Sequence, residues 1–224
     1  MKYQCILFDA DETLFHFDAY RGLQRMFASF EHAFDEQEFA RYQQLNLPLW
    51  KDYEAGRISA TELQHKRFEP WAAKLGVCPS HLNGSFIQAM ADICELLPGA
   101  RELLDALHGK VQLGIITNGF TALQQERLNR TGVQDRFAHL VISEQLGVAK
   151  PDARIFEHAL SRMDNPEKSA VLMVGDNLHT DILGGLRYGI DTCWLNRHGQ
   201  QRIEGIDPHH EVSCLTELQA LLQA

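Results

Sequence analysis

The chain changes character twice. Residues 16–95 hold only 5 of the 28 Val, Ile and Thr residues but 12 of the 20 aromatics, a composition short of strand formers and rich in bulky residues for helix faces. That stretch reads as all helical. Residues 1–15 and 96–224 carry the other 23 β-branched residues and 12 of the 16 glycines, set out as short apolar runs separated by amphipathic stretches. The runs are Tyr3–Phe8, Val111–Thr117, Leu140–Ser143, Val171–Val174 and Asp191–Leu195, each close to continuously apolar, as strands covered on both faces are. The expected fold is α/β, with a doubly wound, mainly parallel, Rossmann-like core over 1–15 and 96–224 and an inserted all-helical domain over 16–95.

Local signals agree with this division. Ser59-Ala-Thr-Glu62 predicts a capping box opening a helix that runs to Leu75 and stops at Gly76, and Thr121-Ala-Leu-Gln124 predicts another that ends near Gly132. Pro98-Gly99 marks the return to the core, and residues 197–211 read as a loop. No repeat or low-complexity segment interrupts the pattern.

Several functions are excluded or disfavoured. Twenty-one Lys and Arg against 30 Asp and Glu leave a net charge of −9, which opposes a general grip on nucleic-acid phosphates or an anionic bilayer. No apolar run approaches the roughly 18 residues needed to span a membrane, and Asp9 cuts the N-terminal run too early for a secretory signal. A cytoplasmic chain with no nucleic-acid, membrane or obligate protein partner is expected. Cys5, Cys78, Cys94, Cys193 and Cys214 are odd in number and never form a C-x-x-C pair, so they read as buried thiols rather than disulfides or zinc ligands.

Ligands of doubly wound sheets bind beyond the carboxyl ends of the strands, so the residues after each run carry the functional argument. After the first come Asp9-Ala10-Asp11, two carboxylates on one side of an extended chain, which implies a bound divalent cation, a shared proton, or both. The second ends in Thr117-Asn118-Gly119, offering a hydroxyl, an amide and backbone N–H groups suited to phosphate oxygens. The third leads to Lys150-Pro151, a compact positive charge for a phosphoryl group and a nearby carboxylate. Val174-Gly175-Asp176 and Asp181 follow the fourth. Oxygen ligands around a hard, hydrated cation describe Mg²⁺ better than zinc.

D-x-D-x-T-L, T-N, K-P and G-D-x-x-x-x-D, in this order, resemble the four motifs of the haloacid dehalogenase-like (HAD) superfamily, in which a helical insertion between the first two motifs is a C1 cap. Phe8–Phe15, Gly22–Phe27, Pro48-Leu49-Trp50 and Ile182–Gly185 are similar, more narrowly, to its house-cleaning pyrimidine 5′-nucleotidases. The resemblance implies an aspartyl-phosphate mechanism. Asp9 would be the nucleophile and Asp11 the general acid and base; Ala10, Asp11, Thr117, Asn118 and Lys150 would bind phosphate. Asp9, Asp11 (through its carbonyl) and Asp176 would hold Mg²⁺, with Mn²⁺ or Co²⁺ able to substitute, and Asp181 would orient a metal-bound water or Lys150. The implied substrates are UMP, dUMP, dTMP and modified analogues, small-molecule nucleoside monophosphates.

Alternatives remain open on the sequence. Dehalogenases of the superfamily lack the second acid, so Asp11 opposes that branch. Phosphonate-cleaving members use a cap lysine, for which Lys51, Lys66 and Lys74 are on offer, although cap lysines are commonly surface charges. Sugar-phosphate phosphatases and mutases share the D-x-D, and receiver-like phospho-acceptor domains share an acidic pocket, a threonine and a lysine. Within the helical segment Phe27, Phe30 and Phe34 recur at helical spacing and read as core. Phe17, Tyr20, Trp50 and Tyr53 are candidates to stack on a base, and Asn46 or Gln43 to read its edge. His179 reads as a loop residue, and His209-His210 gives no ligand spacing.

Overall fold

The computed structural model describes residues 2–223. The chain opens with β1 (Cys5–Phe8), and then forms five helices, α1 (Ala19–Ala28), α2 (Glu36–Glu54), α3 (Ala60–Lys66), α4 (Glu69–Leu75) and α5 (Pro79–Asp92). After α6 (Ala100–Leu107) come β2 (Gln112–Thr117), α7 (Thr121–Thr131), β3 (His139–Ile142), α8 (Ser143–Leu146), α9 (Ala153–Ser161) and β4 (Val171–Gly175). A short π-helix (Leu178–Ile182), α10 (Leu183–Tyr188), β5 (Asp191–Leu195), β6 (His210–Val212) and α11 (Leu215–Gln223) complete the order. The described residues form two compact units: one runs up to His16, over Glu95–Gly119 and from Thr131 onward, the other over Phe17–Cys94 and Phe120–Arg130.

In the first unit six strands make one sheet in the order β3-β2-β1-β4-β5-β6, every neighbouring pair parallel. The expected doubly wound α/β core is therefore present. Its central strands are buried throughout, which is why they are written in apolar residues without alternation. Phe8 lies opposite both Ile115 and Val174, so Asp9 leaves the sheet level with Gly175, and its N–H donates to the Val174 carbonyl at 2.9 Å. Adjacent strands lie about 4.8 Å apart. Register alone thus brings the ends of β2, β1 and β4 to one place.

The second unit is all helical. Its core gathers Leu23, Met26, Phe27, Phe34, Tyr42, Phe68, Trp71, Leu82 and Phe86, and Phe27 stacks on Phe34 at a centroid distance of 4.6 Å. Phe17, Tyr20 and Phe30 pack against that core, Tyr20 against the rings of Phe34 and Phe39. All four stacking candidates are thus engaged in packing, since Tyr53 is buried edge-on to Trp50 at 5.8 Å and Trp50 in turn stacks on Phe120.

Four expectations need correction. His210–Val212 overlaps the end of the 197–211 stretch read as a loop and forms an edge strand beside β5; its three residues are too short to show a period. The helix expected from Ser59 to Leu75 is two helices. The capping box of Ser59 and Glu62 and the left-handed Gly76 stop are both present, but Pro70 has no N–H and its ring clashes with the preceding turn, so the first helix ends at Lys66 and a second starts at Glu69. Helix α7, placed by sequence in the core, clusters mostly with the helical unit: Leu123 joins its apolar core, and Arg130 pairs with Asp92 at 3.0 Å. Finally, Cys78 is exposed and Cys94 and Cys214 are partly so, leaving only Cys5 and Cys193 as buried thiols.

Candidate active site

Each strand-end motif is held by its own local device. Beyond β4, the Asn177 side chain accepts from the N–H groups of His179 and Thr180 at 2.9 and 3.1 Å, capping the π-helix that carries Asp181. His179 itself is exposed within that turn. The β5 residue Trp194, fully buried, donates its indole N–H to the Asp176 carbonyl at 2.9 Å, fixing the backbone beside that acid. At the end of β2 the Thr117 hydroxyl accepts from the Gly119 N–H at 3.0 Å, leaving its own proton to donate. Asn118 clasps the Lys150 backbone: its Oδ1 accepts from the Lys150 N–H at 2.8 Å and its Nδ2 donates to the Lys150 carbonyl at 2.9 Å. The Lys150–Pro151 peptide is cis.

These devices bring four charged side chains together. Lys150 is 1% exposed, and its Nζ lies 2.6 Å from Asp9 Oδ1 and 2.7 Å from Asp181 Oδ1. Carboxylate oxygens of Asp9, Asp176 and Asp181 lie within 4.8 Å of one another. Burial pushes Asp9 up to about 7 against the pull of Lys150, with Asp181 and Asp11 adding to the rise. Burial, then Asp9 and Asp181, push Asp176 up to about 8. Lys150 goes well above the ordinary lysine range: burial opposes its charge, but Asp181 and Asp9 together outweigh that. Asp11 is half-buried and close enough to act on both Asp9 and Asp176.

One ammonium against this many carboxylates leaves surplus negative charge, and hard oxygen donors so crowded fit a divalent cation such as Mg²⁺. Asp181 is already engaged on both oxygens, by Lys150 on one and by the Asn177 N–H at 3.0 Å on the other. Asp9 and Asp176 are therefore the carboxylates with room for a metal.

Four residues were given no role of their own by sequence. Gly175 is one: a Cβ there would stand 2.2 Å from Asp181 Oδ2, so β4 must end in glycine for the acid to reach Lys150. Gly175→Ala is expected to lower stability by about 1–3 kcal/mol through overpacking and to lower kcat with it, read by thermal unfolding and phosphate release. The others are Trp194 and the pair Glu12–Arg197, whose 2.8 Å contact ties the loop after β5 to the turn carrying Asp11. Arg197 lies just beyond the carboxyl end of the fifth strand, where the same strand-end logic points. The lysines of the helical segment, Lys51, Lys66 and Lys74, are all exposed, unlike a Schiff-base lysine that has to be desolvated.

Residues 3–189 match the haloacid dehalogenase-like hydrolase family; the chain belongs to that family. It is 55% identical to the pyrimidine 5′-nucleotidase YjjG of Escherichia coli (strain K12) over 222 residues, covering 99% of each chain. It is also 36% identical to the pyrimidine 5′-nucleotidase PynA of Streptococcus pneumoniae, covering 97% of this chain and 94% of that one. Among solved structures, the magnesium-bound HAD-hydrolase YfnB of Bacillus subtilis, for which interdomain movement is described, superposes with a TM-score of 0.87 at 28% identity over the whole of both chains. No helix among the described residues is long and apolar enough to cross a membrane.

Proposed function

We propose that this protein is a phosphomonoesterase that hydrolyses pyrimidine nucleoside 5′-monophosphates, UMP, dUMP, dTMP and modified analogues, through an aspartyl-phosphate on Asp9. The observation that carries the chemistry is the buried Lys150 ammonium bridging Asp9 and Asp181 beside Asp176. The substrate class rests on the whole-length likeness to two pyrimidine 5′-nucleotidases.

In this reading an Asp9 carboxylate oxygen attacks phosphorus in line, and the P–O bond to the nucleoside breaks as Asp11 protonates the departing 5′ oxygen. Water then attacks the aspartyl-phosphate, Asp11 takes its proton, and inorganic phosphate leaves with Asp9 restored. Thr117 donates its hydroxyl proton to a phosphoryl oxygen, backbone N–H groups over Ala10-Asp11 and at Asn118 bind others, and Lys150 supplies charge. The Asn118 side chain, engaged with Lys150, acts by positioning that lysine. Asp181 holds the lysine from the other side. Asp9, Asp176 and the Asp11 carbonyl would hold Mg²⁺, with Mn²⁺ or Co²⁺ as substitutes, and the ion supplies positive charge that lets two anions approach. The helical unit, 16–95 by sequence, serves as the cap that selects the leaving group.

Phosphate release from UMP, dUMP, dTMP, ribose 5-phosphate and a hexose phosphate tests the reading. Turnover of the pyrimidine nucleotides well above the sugar phosphates supports it; the reverse order, or transfer of phosphate to a second sugar, defeats it. Saturating Mg²⁺ is also expected to raise the thermal midpoint of the chelated protein by about 5 °C or more through binding to the folded state alone. An unmoved midpoint would remove the metal from the site.

A further inference from the structure

We propose that Arg67 and Asn46, both in the helical unit, form a reading site for the N3–H and an adjacent ring carbonyl of a uracil or thymine base, and so determine specificity; this rests on the nucleotidase reading above.

Arg67 is 3% exposed, and no carboxylate among the described residues pairs with it. Its Nη2 donates to Asn83 Oδ1 at 2.6 Å, and Asn83 Nδ2 in turn donates to Gln64 Oε1 at 2.8 Å, so the guanidinium is held by a neutral chain. Its Cζ lies 5.1 Å from the ring centres of Phe68, Phe86 and Phe120. These contacts stabilise the charge in part, yet Nε is buried with no hydrogen-bond partner among the described residues. A buried cation lacking both a counter-ion and a partner for one donor is costly unless a ligand completes it.

Asn46 presents the complementary defect: its Oδ1 is buried and likewise has no partner among the described residues. A circuit of contacts ties the helix face that carries Asn46 to Arg67. Tyr42, Asn46 and Trp50 recur at i, i+4 and i+8 on α2 and share one face. At one end of that face Tyr42 OH lies 3.5 Å from Arg67 Nη1. At the other, Trp50 stacks on Phe120 at 5.3 Å, and Phe120 returns to Arg67. Asn46 sits between the two ends.

A lone acceptor on a helix face whose two ends reach the residue with the lone donor, with aromatic rings on that path, selects the ligand. A phosphate or carboxylate would neutralise Arg67 but face the Asn46 oxygen with like polarity. Uracil and thymine offer N3–H to Asn46 Oδ1 and a neighbouring carbonyl to Arg67 Nε, and their flat faces suit the Trp50–Phe120 wall. Cytosine carries no hydrogen on N3 and meets the acceptor with an acceptor.

The test is steady-state kinetics on UMP, CMP, 3-methyluridine 5′-monophosphate and p-nitrophenyl phosphate. The unaltered protein should favour UMP over CMP and the 3-methyl analogue by at least about tenfold in kcat/KM, since a site built around an N–H rejects a ligand lacking it. Asn46→Leu and Arg67→Gln should each lose at least about tenfold more on UMP than on p-nitrophenyl phosphate, with the UMP-to-CMP ratio collapsing in Asn46→Leu. Equal losses on both substrates would make the pair structural and overturn the proposal, as would equal use of UMP and its 3-methyl analogue. Should Arg67→Gln fail to fold, the half-buried Asn46 variant still decides. Turnover of p-nitrophenyl phosphate with none of the nucleotides would instead overturn the nucleotidase reading itself.

Discussion

Asp9→Asn is expected to reduce turnover of every phosphomonoester by about 10⁴-fold or more while the chain stays folded, because an amide can neither attack phosphorus nor carry the intermediate. Its stability should respond to pH in a way that separates a lost nucleophile from a damaged fold. Asp9 is pushed up to about 7 and Asp176 to about 8, chiefly by burial, whereas an unfolded aspartate titrates near 3.9. Between those values the folded state binds more protons than the unfolded one, so without metal the stability falls as pH rises from about 4 to 8. The substitution removes one of the two groups, and the loss of its charge also eases the ionisation of Asp176. The chelated variant should therefore lose less of its thermal midpoint between pH 6 and pH 9 than the unaltered protein does. A steeper loss, or phosphate release at the original rate in a pure sample, would deny Asp9 its role.

The parts of the molecule legible in sequence are those written by local rules. Buried parallel strands need continuous apolar runs, so five of six were visible, and Ser59 with Glu62 announced a helix start because a cap is made within four residues. Features set by distant neighbours were not. Three residues beside β5 carry no period, so His210–Val212 could not be told from a loop. The Asn118 side-chain amide looked free for phosphate until Lys150, 32 positions later, occupied it, which leaves the backbone N–H for that role. The Arg67 guanidinium lies in a helix-ending turn between two ordinary helices, and only the fold shows that no carboxylate among the described residues stands opposite it. The allocation of α7 to the helical unit is of the same kind: its apolar positions reveal a buried face but not which core that face enters.

Lys150→Met tests whether the acidic cluster is assembled around a cation. The ammonium lies between Asp9 Oδ1 and Asp181 Oδ1 at 2.6 and 2.7 Å and is almost wholly buried, and removing one member of such a pair leaves buried charge uncompensated, costing about 3–5 kcal/mol. For a chain of this length that corresponds to a fall in thermal midpoint of roughly 6–20 °C. The cost should depend on pH: the stranded Asp9 carboxyl, already pushed up by burial, can take up a proton in acid, so the deficit should be smaller at pH 5 than at pH 8. Asp181→Asn combined with Lys150→Met should then be more stable than Lys150→Met alone, because the second change removes the fully buried charge that the first left unpaired. Activity should not return with stability, since the double variant still lacks the cation that faces the phosphoryl oxygens. A double variant whose losses simply add would mean that Lys150 and Asp181 stabilise the fold independently, and the carboxyl ends of β1 and β4 would then be held by the sheet alone.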